Sequence, residues 1–266
     1  MNILDKIVAY KRSEVDDRKA VTPLVVLEKS PLFGRQPLSL RKFLTDPGKT
    51  GIIAEFKRRS PSKGVINDSV DVREVTGGYA KHGASCLSVL TDQQFFGGST
   101  EDLQQARYNE IPILRKDFMI DEYQIAEAKA MGADVILLIA ACLSPAEVRS
   151  LAVFARSLGL EVLLEIHTEE ELGHICEETE LIGVNNRDLK TFTVDVERSI
   201  KLSEKIPAGK IIISESGISN VDTIRRLKKH GFSGFLIGES FMKEKDPAAA
   251  FGEFVKELNT PVGGSL

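Results

Sequence analysis

Gly51-Ile52-Ile53-Ala54-Glu55-Phe56-Lys57-Arg58-Arg59-Ser60-Pro61-Ser62-Lys63-Gly64 begins as a buried strand and changes character after Ala54. In an extended chain, residues two apart face the same side, so Glu55 and Lys57 point together. Four basic residues, two serines, a proline and a glycine then fill the eight positions 57–64. Two readings stand at this point: a salt-bridged strand end in solvent, or the rim of an active site that binds an anion.

Working outward, one rhythm repeats from Gly51 onward. Short apolar strands are expected at Ile52–Phe56, Cys86–Leu90, Ile111–Arg115, Val135–Ala140, Val162–Ile166, Leu181–Val184, Ile211–Ser214 and Phe235–Ile237. The segments between them read as helices that open on capping chemistry: Ser99-Thr100-Glu101-Asp102, Ser144-Pro145-Ala146-Glu147 and Ser219-Asn220-Val221-Asp222. Ser219 and Asp222 have the spacing of a capping-box variant. Gly83, Gly132, Gly159 and Gly231 fall where such helices would end. Eight strands alternating with eight helices imply parallel pairing, and strands apolar on both faces imply cover inside and out. The expectation is an α/β fold, a (β/α)8 TIM barrel. An open doubly wound sheet is the weaker alternative, because no Gly-x-Gly-x-x-Gly turn follows the first strand.

Residues 1–48 read as a helical extension that packs on the barrel, 49–258 as the barrel and 259–266 as a C-terminal tail. In the extension Ile3, Leu4, Ile7 and Val8 share one face, with Asp5, Lys6, Lys11 and Arg12 placed on the other. Val21, Leu24, Val25 and Leu27 suggest a second apolar face, and Ser39 is placed to cap a short helix before Asp46-Pro47-Gly48. A face of this kind can dock on a membrane or partner, but covering its own domain is the expectation. With 266 residues, 42% of them hydrophobic, the chain can build a large core. A net charge of -4 argues against nucleic-acid binding, and no apolar run approaches the roughly 18 residues of a membrane span. The start carries charge at once and has no signal-peptide core, and Cys86, Cys142 and Cys176 lack pairing or metal-type spacing. Buried free thiols in the cytoplasm are expected.

In a barrel of this kind the site forms at the C-terminal ends of the strands. The first strand delivers Glu55 and Lys57, the third Lys116-Asp117-Phe118, and the fifth Glu165. The sixth delivers Asn185-Asn186-Arg187-Asp188, the seventh Ser214-Glu215-Ser216-Gly217 and the eighth Gly238-Glu239-Ser240. Glu165 lies inside Val162-Leu163-Leu164-Glu165-Ile166, where a lone carboxylate is costly without a cation across the barrel. A Lys/Glu cluster with displaced pKa values suits acid–base catalysis. Ser216-Gly217 and Gly238-Glu239 sit where barrels bind phosphate, with Ser60 and Lys57 positioned to complete the cradle. Phe95, Phe96 and Phe118 are candidates to enclose a flat ring. No metal-ligand spacing or Walker-type loop is present, and His82, His167, His174 and His230 receive no role.

These motifs together resemble the indole-3-glycerol-phosphate synthase family. The resemblance rests on Ile53–Gly64, Leu114-Arg115-Lys116-Asp117-Phe118, Leu164-Glu165-Ile166, Ile182–Leu189 and Ser214-Glu215-Ser216-Gly217-Ile218, and covers nearly the whole chain. It implies a stand-alone carboxy-lyase of tryptophan biosynthesis. Its substrate would be 1-(2-carboxyphenylamino)-1-deoxyribulose 5-phosphate, converted to indole-3-glycerol phosphate, carbon dioxide and water without cofactor or metal. By the family pattern Lys116 is the general acid and Glu165 the general base. Lys57 holds the substrate carboxylate or shares the acid duty, and Glu55 and Glu215 tune these groups. Asn185 and Arg187 order the substrate hydroxyls, with Phe96, Phe118 and Pro61 against the substrate. Ser60, Ser216, Gly217, Gly238 and Glu239 match phosphate positions, Glu239 through its backbone with its side chain turned outward. A monomer or weak homodimer is expected. The rivals are a phosphate-sugar isomerase or epimerase on the same barrel and a non-catalytic scaffold.

Overall fold

A computed structural model of the chain describes residues 3–188, 191 and 193–261. Leu189 of the quoted motif and residues 262–266 of the expected tail lie outside the described residues. The strands are β1 (Ile52–Phe56), β2 (Cys86–Leu90), β3 (Ile113–Lys116), β4 (Val135–Ile139), β5 (Glu161–Ile166), β6 (Leu181–Asn185), β7 (Ile211–Glu215) and β8 (Phe232–Ile237). Each pairs in parallel with its sequence neighbours, and β1 pairs with β8, so the sheet closes into an eight-stranded barrel.

Alternation along each strand explains why the strands read as unbroken apolar runs. One set of side chains, including Ile53, Leu114, Leu137, Leu163, Leu181, Ile213 and Leu236, fills the barrel interior. The other, including Ile52, Ala54, Leu87, Ile113, Ile136, Val162 and Ile182, packs under the helices. Removing each large side chain from water contributes about 1.5–3 kcal/mol, so both faces must be apolar.

The crossovers follow the cap chemistry, with two departures. The helix Pro145–Ser157 opens on a full capping box of Ser144 and Glu147. At Val221–Lys229, however, Asn220 and not Ser219 is the cap, accepting from the Thr223 N–H. After β5 a 3-10 turn, Glu170–His174, stands where a full helix was expected. In the loop after β1, Arg59–Ser60 and Gly64–Val65 pair as a short antiparallel ribbon.

The N-terminal segment touches both ends of the barrel. The helix Leu40–Thr45, capped by Ser39, sends Leu40 and Leu44 against the interior cluster. The first helix, Ile3–Val21, buries Ile7, Lys11 and Val15, and Ile3, Leu4 and Ile7 line the cleft at the C-terminal mouth. Lys11 is therefore on the inner face and not with the solvent-facing charges: positions four apart in a helix share a face. Val21, Leu24 and Val25 are exposed, so of the second apolar face expected there only Leu27 is half-buried. Cys86 is buried, whereas Cys142 and Cys176 are only half-buried; all three are free.

Candidate active site

The strand ends that carried the polar residues converge on one cleft of about 340 Å³. Glu55, Lys57, Lys116, Glu165, Asn185, Glu215, Ser216, Gly217, Gly238 and Glu239 all face it, as do Ser60, Pro61, Phe96, Phe118 and Arg187.

At its centre Lys116, on the last residue of β3, extends between two carboxylates. Its Nζ lies 3.6 Å from Glu165 and 3.9 Å from Glu215. Beside this trio Lys57 pairs with Glu55 at 2.6 Å. Lys57 thus belongs to the inner charge cluster. Burial disfavours the charged form of Lys116, but Glu165, Glu215 and Glu55 outweigh it and hold the ammonium protonated. Glu165 and Glu55 are likewise buried, yet the facing lysines keep both carboxyls below their ordinary range. Glu215 goes the other way. Burial, reinforced by the nearby charge of Glu165, pushes its pKa up to about 8. The mouth therefore sets one carboxyl below and one above the ordinary range on either side of one ammonium.

His167 completes the surroundings of Glu165, and nothing in the sequence reading assigned it. Its Nε2 lies 3.2 Å from Glu165 and its Nδ1 3.5 Å from Glu171. Burial alone would lower its pKa; the two carboxylates raise it to about 9. The signal was available, because His167 follows Glu165 by two residues as Lys57 follows Glu55. Asn185 donates to Glu165 at 3.1 Å and accepts the Arg187 backbone N–H at 3.0 Å, which locks the end of β6 onto Glu165.

The other side of the cleft is backbone. Ser216 has φ 69° and Gly217 φ 71°, a left-handed pair that turns the chain sharply out of β7. A non-glycine residue there is strained by about 1–2 kcal/mol. Asn186 holds the turn by donating to the Ser216 carbonyl at 2.8 Å. A Cβ on Gly217 would come 2.3 Å from Val194, and one on Gly238 2.7 Å from Glu55 Oε1. Glycine is thus required at both loops by neighbouring protein atoms.

Two expectations are corrected. The Glu239 side chain is not turned away from the cleft: it lies 3.4 Å from Lys63 and 3.8 Å from Arg187. Those two cations draw the carboxylate toward the rim of the cleft. Phe95 is no wall of the cleft either, because it packs edge-on against Tyr10 at 5.7 Å. Phe96 and Phe118 do face each other, 6.0 Å apart and tilted by 39°. Among the described residues no cluster of His, Cys, Asp and Glu is arranged to hold a metal ion.

Comparison with known proteins agrees with this geometry. The family model described as indole-3-glycerol phosphate synthase matches residues 4–254. The indole-3-glycerol phosphate synthase of Bacteroides thetaiotaomicron is 47% identical, over 97% of this chain and 99% of the relative. That of Polaromonas sp. (strain JS666) is 44% identical, over 95% and 97%. Among solved structures, a 3-hexulose-6-phosphate synthase overlays 78% of this chain and 99% of its own with a TM-score of 0.62 at 15% identity. Thiamine phosphate pyrophosphorylase from Pyrococcus furiosus gives 0.59 at 17% identity over 84% of this chain and 100% of its own. At such low identity these two show the barrel fold alone.

Proposed function

The chain belongs to the indole-3-glycerol phosphate synthase family, and from that premise we propose how its residues divide the work. The family activity is that of a carboxy-lyase of tryptophan biosynthesis acting on a phosphorylated substrate, with closure of the indole ring, decarboxylation and dehydration. The observation that carries the assignment of roles is the ammonium of Lys116 between Glu165 and Glu215, in the same cleft as the Ser216-Gly217 and Gly238-Glu239 loops.

In this reading the substrate phosphate lies against Ser60, Ser216, Gly217, Gly238 and the Glu239 backbone. Its arrival gives Lys63 and Arg187 an alternative to the Glu239 carboxylate. The aromatic ring sits by Phe96, Phe118 and Pro61, and Lys57 meets the substrate carboxylate. Lys116 gives its proton to the ketone oxygen while the ring carbon bearing the carboxylate attacks the ketone carbon. The C–CO2 bond then breaks, and its electron pair restores the aromatic ring. Finally the new hydroxyl leaves as water after accepting a second proton, while Glu165 takes a proton from the neighbouring methylene. Glu215, carrying a proton near neutral pH, is suited to supply that second proton. Glu55 keeps Lys57 charged, and Asn185 and Arg187 orient the substrate hydroxyls.

We also take residues 1–48 as an extension of the barrel 49–258, with 259–266 as a tail. The working unit is a cytoplasmic monomer, with a weak homodimer as the alternative and no nucleic-acid partner. The test is to supply purified protein with 1-(2-carboxyphenylamino)-1-deoxyribulose 5-phosphate and a chelator and to follow the indole absorbance. Turnover is expected; a folded protein that forms no indole would refute the assignment.

A further inference from the structure

Beneath the N-terminal helix lies a second charged cluster that the mechanism does not use. Lys11 is completely buried, and its Nζ lies 2.7 Å from Glu14, 2.8 Å from Asp92 and 2.9 Å from Asp117. Asp117 continues to Arg115 at 3.3 Å, Arg115 to Glu127 at 3.1 Å and Glu127 to Arg18 at 3.2 Å. Arg18 returns to Glu14, so the ion pairs form a closed ring. Burial works against the charge on Lys11, but Asp117 and Asp92 outweigh it and keep it protonated.

The two carboxylates that Lys11 joins are not arbitrary. Asp92 caps the short helix Gln93–Phe96, accepting from the N–H groups of Phe95 at 2.7 Å and Phe96 at 3.2 Å. Asp117 stands between Lys116 and Phe118 in the chain, accepts the Phe118 N–H at 2.8 Å, and takes the Thr91 hydroxyl at 2.6 Å. One ammonium from the N-terminal helix therefore sets the loop after β2 against the loop after β3. Those loops carry Phe96 and Phe118, and the second follows directly on Lys116. No comparable tie runs from Lys11 to the Ser216-Gly217 or Gly238 loops among the ion pairs of the described residues.

We infer that Lys11 is a positioning residue for ring closure: through Asp92 and Asp117 it fixes the aromatic walls and Lys116 relative to each other, while the phosphate end of the cleft is independent of it. The inference rests on the activity described above. It gives the N-terminal helix a defined role in the chemistry, beyond covering the cleft with Ile3, Leu4 and Ile7. A displacement of an ångström in such a constellation costs up to about 100-fold in rate.

The test compares Lys11→Met with Arg18→Met, which breaks the same ring at a point that touches neither Asp92 nor Asp117. For each, kcat, KM, thermal midpoint and inhibition by inorganic phosphate are measured. Lys11→Met should lose about 10–100-fold in kcat with phosphate inhibition unchanged. Arg18→Met should lower the thermal midpoint and keep kcat within about 2-fold. Should Lys11→Met not fold, Asp92→Asn keeps the cap oxygen and removes only the charge facing Lys11. It should lower kcat about tenfold and leave phosphate inhibition alone. The inference is overturned if Lys11→Met, or Asp92→Asn in its place, keeps wild-type kcat and KM. It is also overturned if both ring variants lose rate and phosphate inhibition together, which would make the ring a tether only. A wild type that does not turn over substrate would refute the activity itself; wild-type turnover equalled by Lys11→Met refutes this inference alone.

Discussion

The Lys116 centre at the mouth and the Asp134 cluster at the opposite end of the barrel treat buried charge in opposite ways. At the C-terminal mouth Lys116 stands 3.6 Å from Glu165 and 3.9 Å from Glu215, and among the described residues Glu215 Oε1 has no hydrogen-bond partner. At the other end Asp134, at the start of β4, is completely buried and saturated. It accepts the backbone N–H groups of Leu38 at 2.7 Å and Ile113 at 2.8 Å, and pairs with Arg35 and Arg107. Tight, fully satisfied charge fixes a structure because any movement leaves something unpaired. Loose, incompletely satisfied charge costs stability but leaves protons and lone pairs available to a substrate. Between these two clusters, chemistry and stability are therefore separated along the barrel axis.

The sharpest way to break the comparison is at the mouth. Lys116→Ala should lower kcat by about 10²–10⁴-fold, the loss typical of a general acid, and change substrate affinity far less. Steady-state kinetics decide it, and a few-fold effect would transfer the acid role to Lys57. At the opposite end, Asp134→Asn leaves two arginines facing a neutral amide. The cost of breaking such a buried pair is about 3–5 kcal/mol, or about 6–20 °C in thermal midpoint. Activity at a temperature where the variant is folded should match wild type.

A smaller effect sharpens the contrast from within the mouth. The His167 pKa is about 9 in the fold against an ordinary 6.5. A raised folded-state value means that the stabilisation is complete below pH 6.5 and is lost as pH rises through about 9. Thermal midpoints measured across that window should fall with rising pH in wild type. In His167→Asn, that part of the decline should vanish.

Most of the architecture was legible because it is periodic. Continuous apolar strands separated by capped helices admit few solutions, and the positions of Glu55, Lys116, Glu165 and Glu215 at strand ends follow from the barrel. What was not legible lies in side chains whose partners are distant in sequence. Lys11 read as a surface charge because charge was taken as the mark of solvent, although Ile7, Lys11 and Val15 recur at a helical spacing. Its partners, Asp92 and Asp117, are about 80 and 105 residues away along the chain. His167 was legible in principle by the same two-residue alternation that paired Glu55 with Lys57. The inward Glu239 side chain was not, because it depends on Lys63 and Arg187 arriving from two other loops. Nor was the shortened crossover after β5, where Glu170–His174 makes only a 3-10 turn.

Separation of chemistry from stability along the barrel axis is tested most directly by measuring kcat and thermal midpoint side by side for Lys116→Ala and Asp134→Asn. The expected result is a crossing: Lys116→Ala loses rate and keeps its midpoint within a few degrees, while Asp134→Asn loses midpoint and keeps its rate. Proportional loss of both quantities in both variants would contradict it.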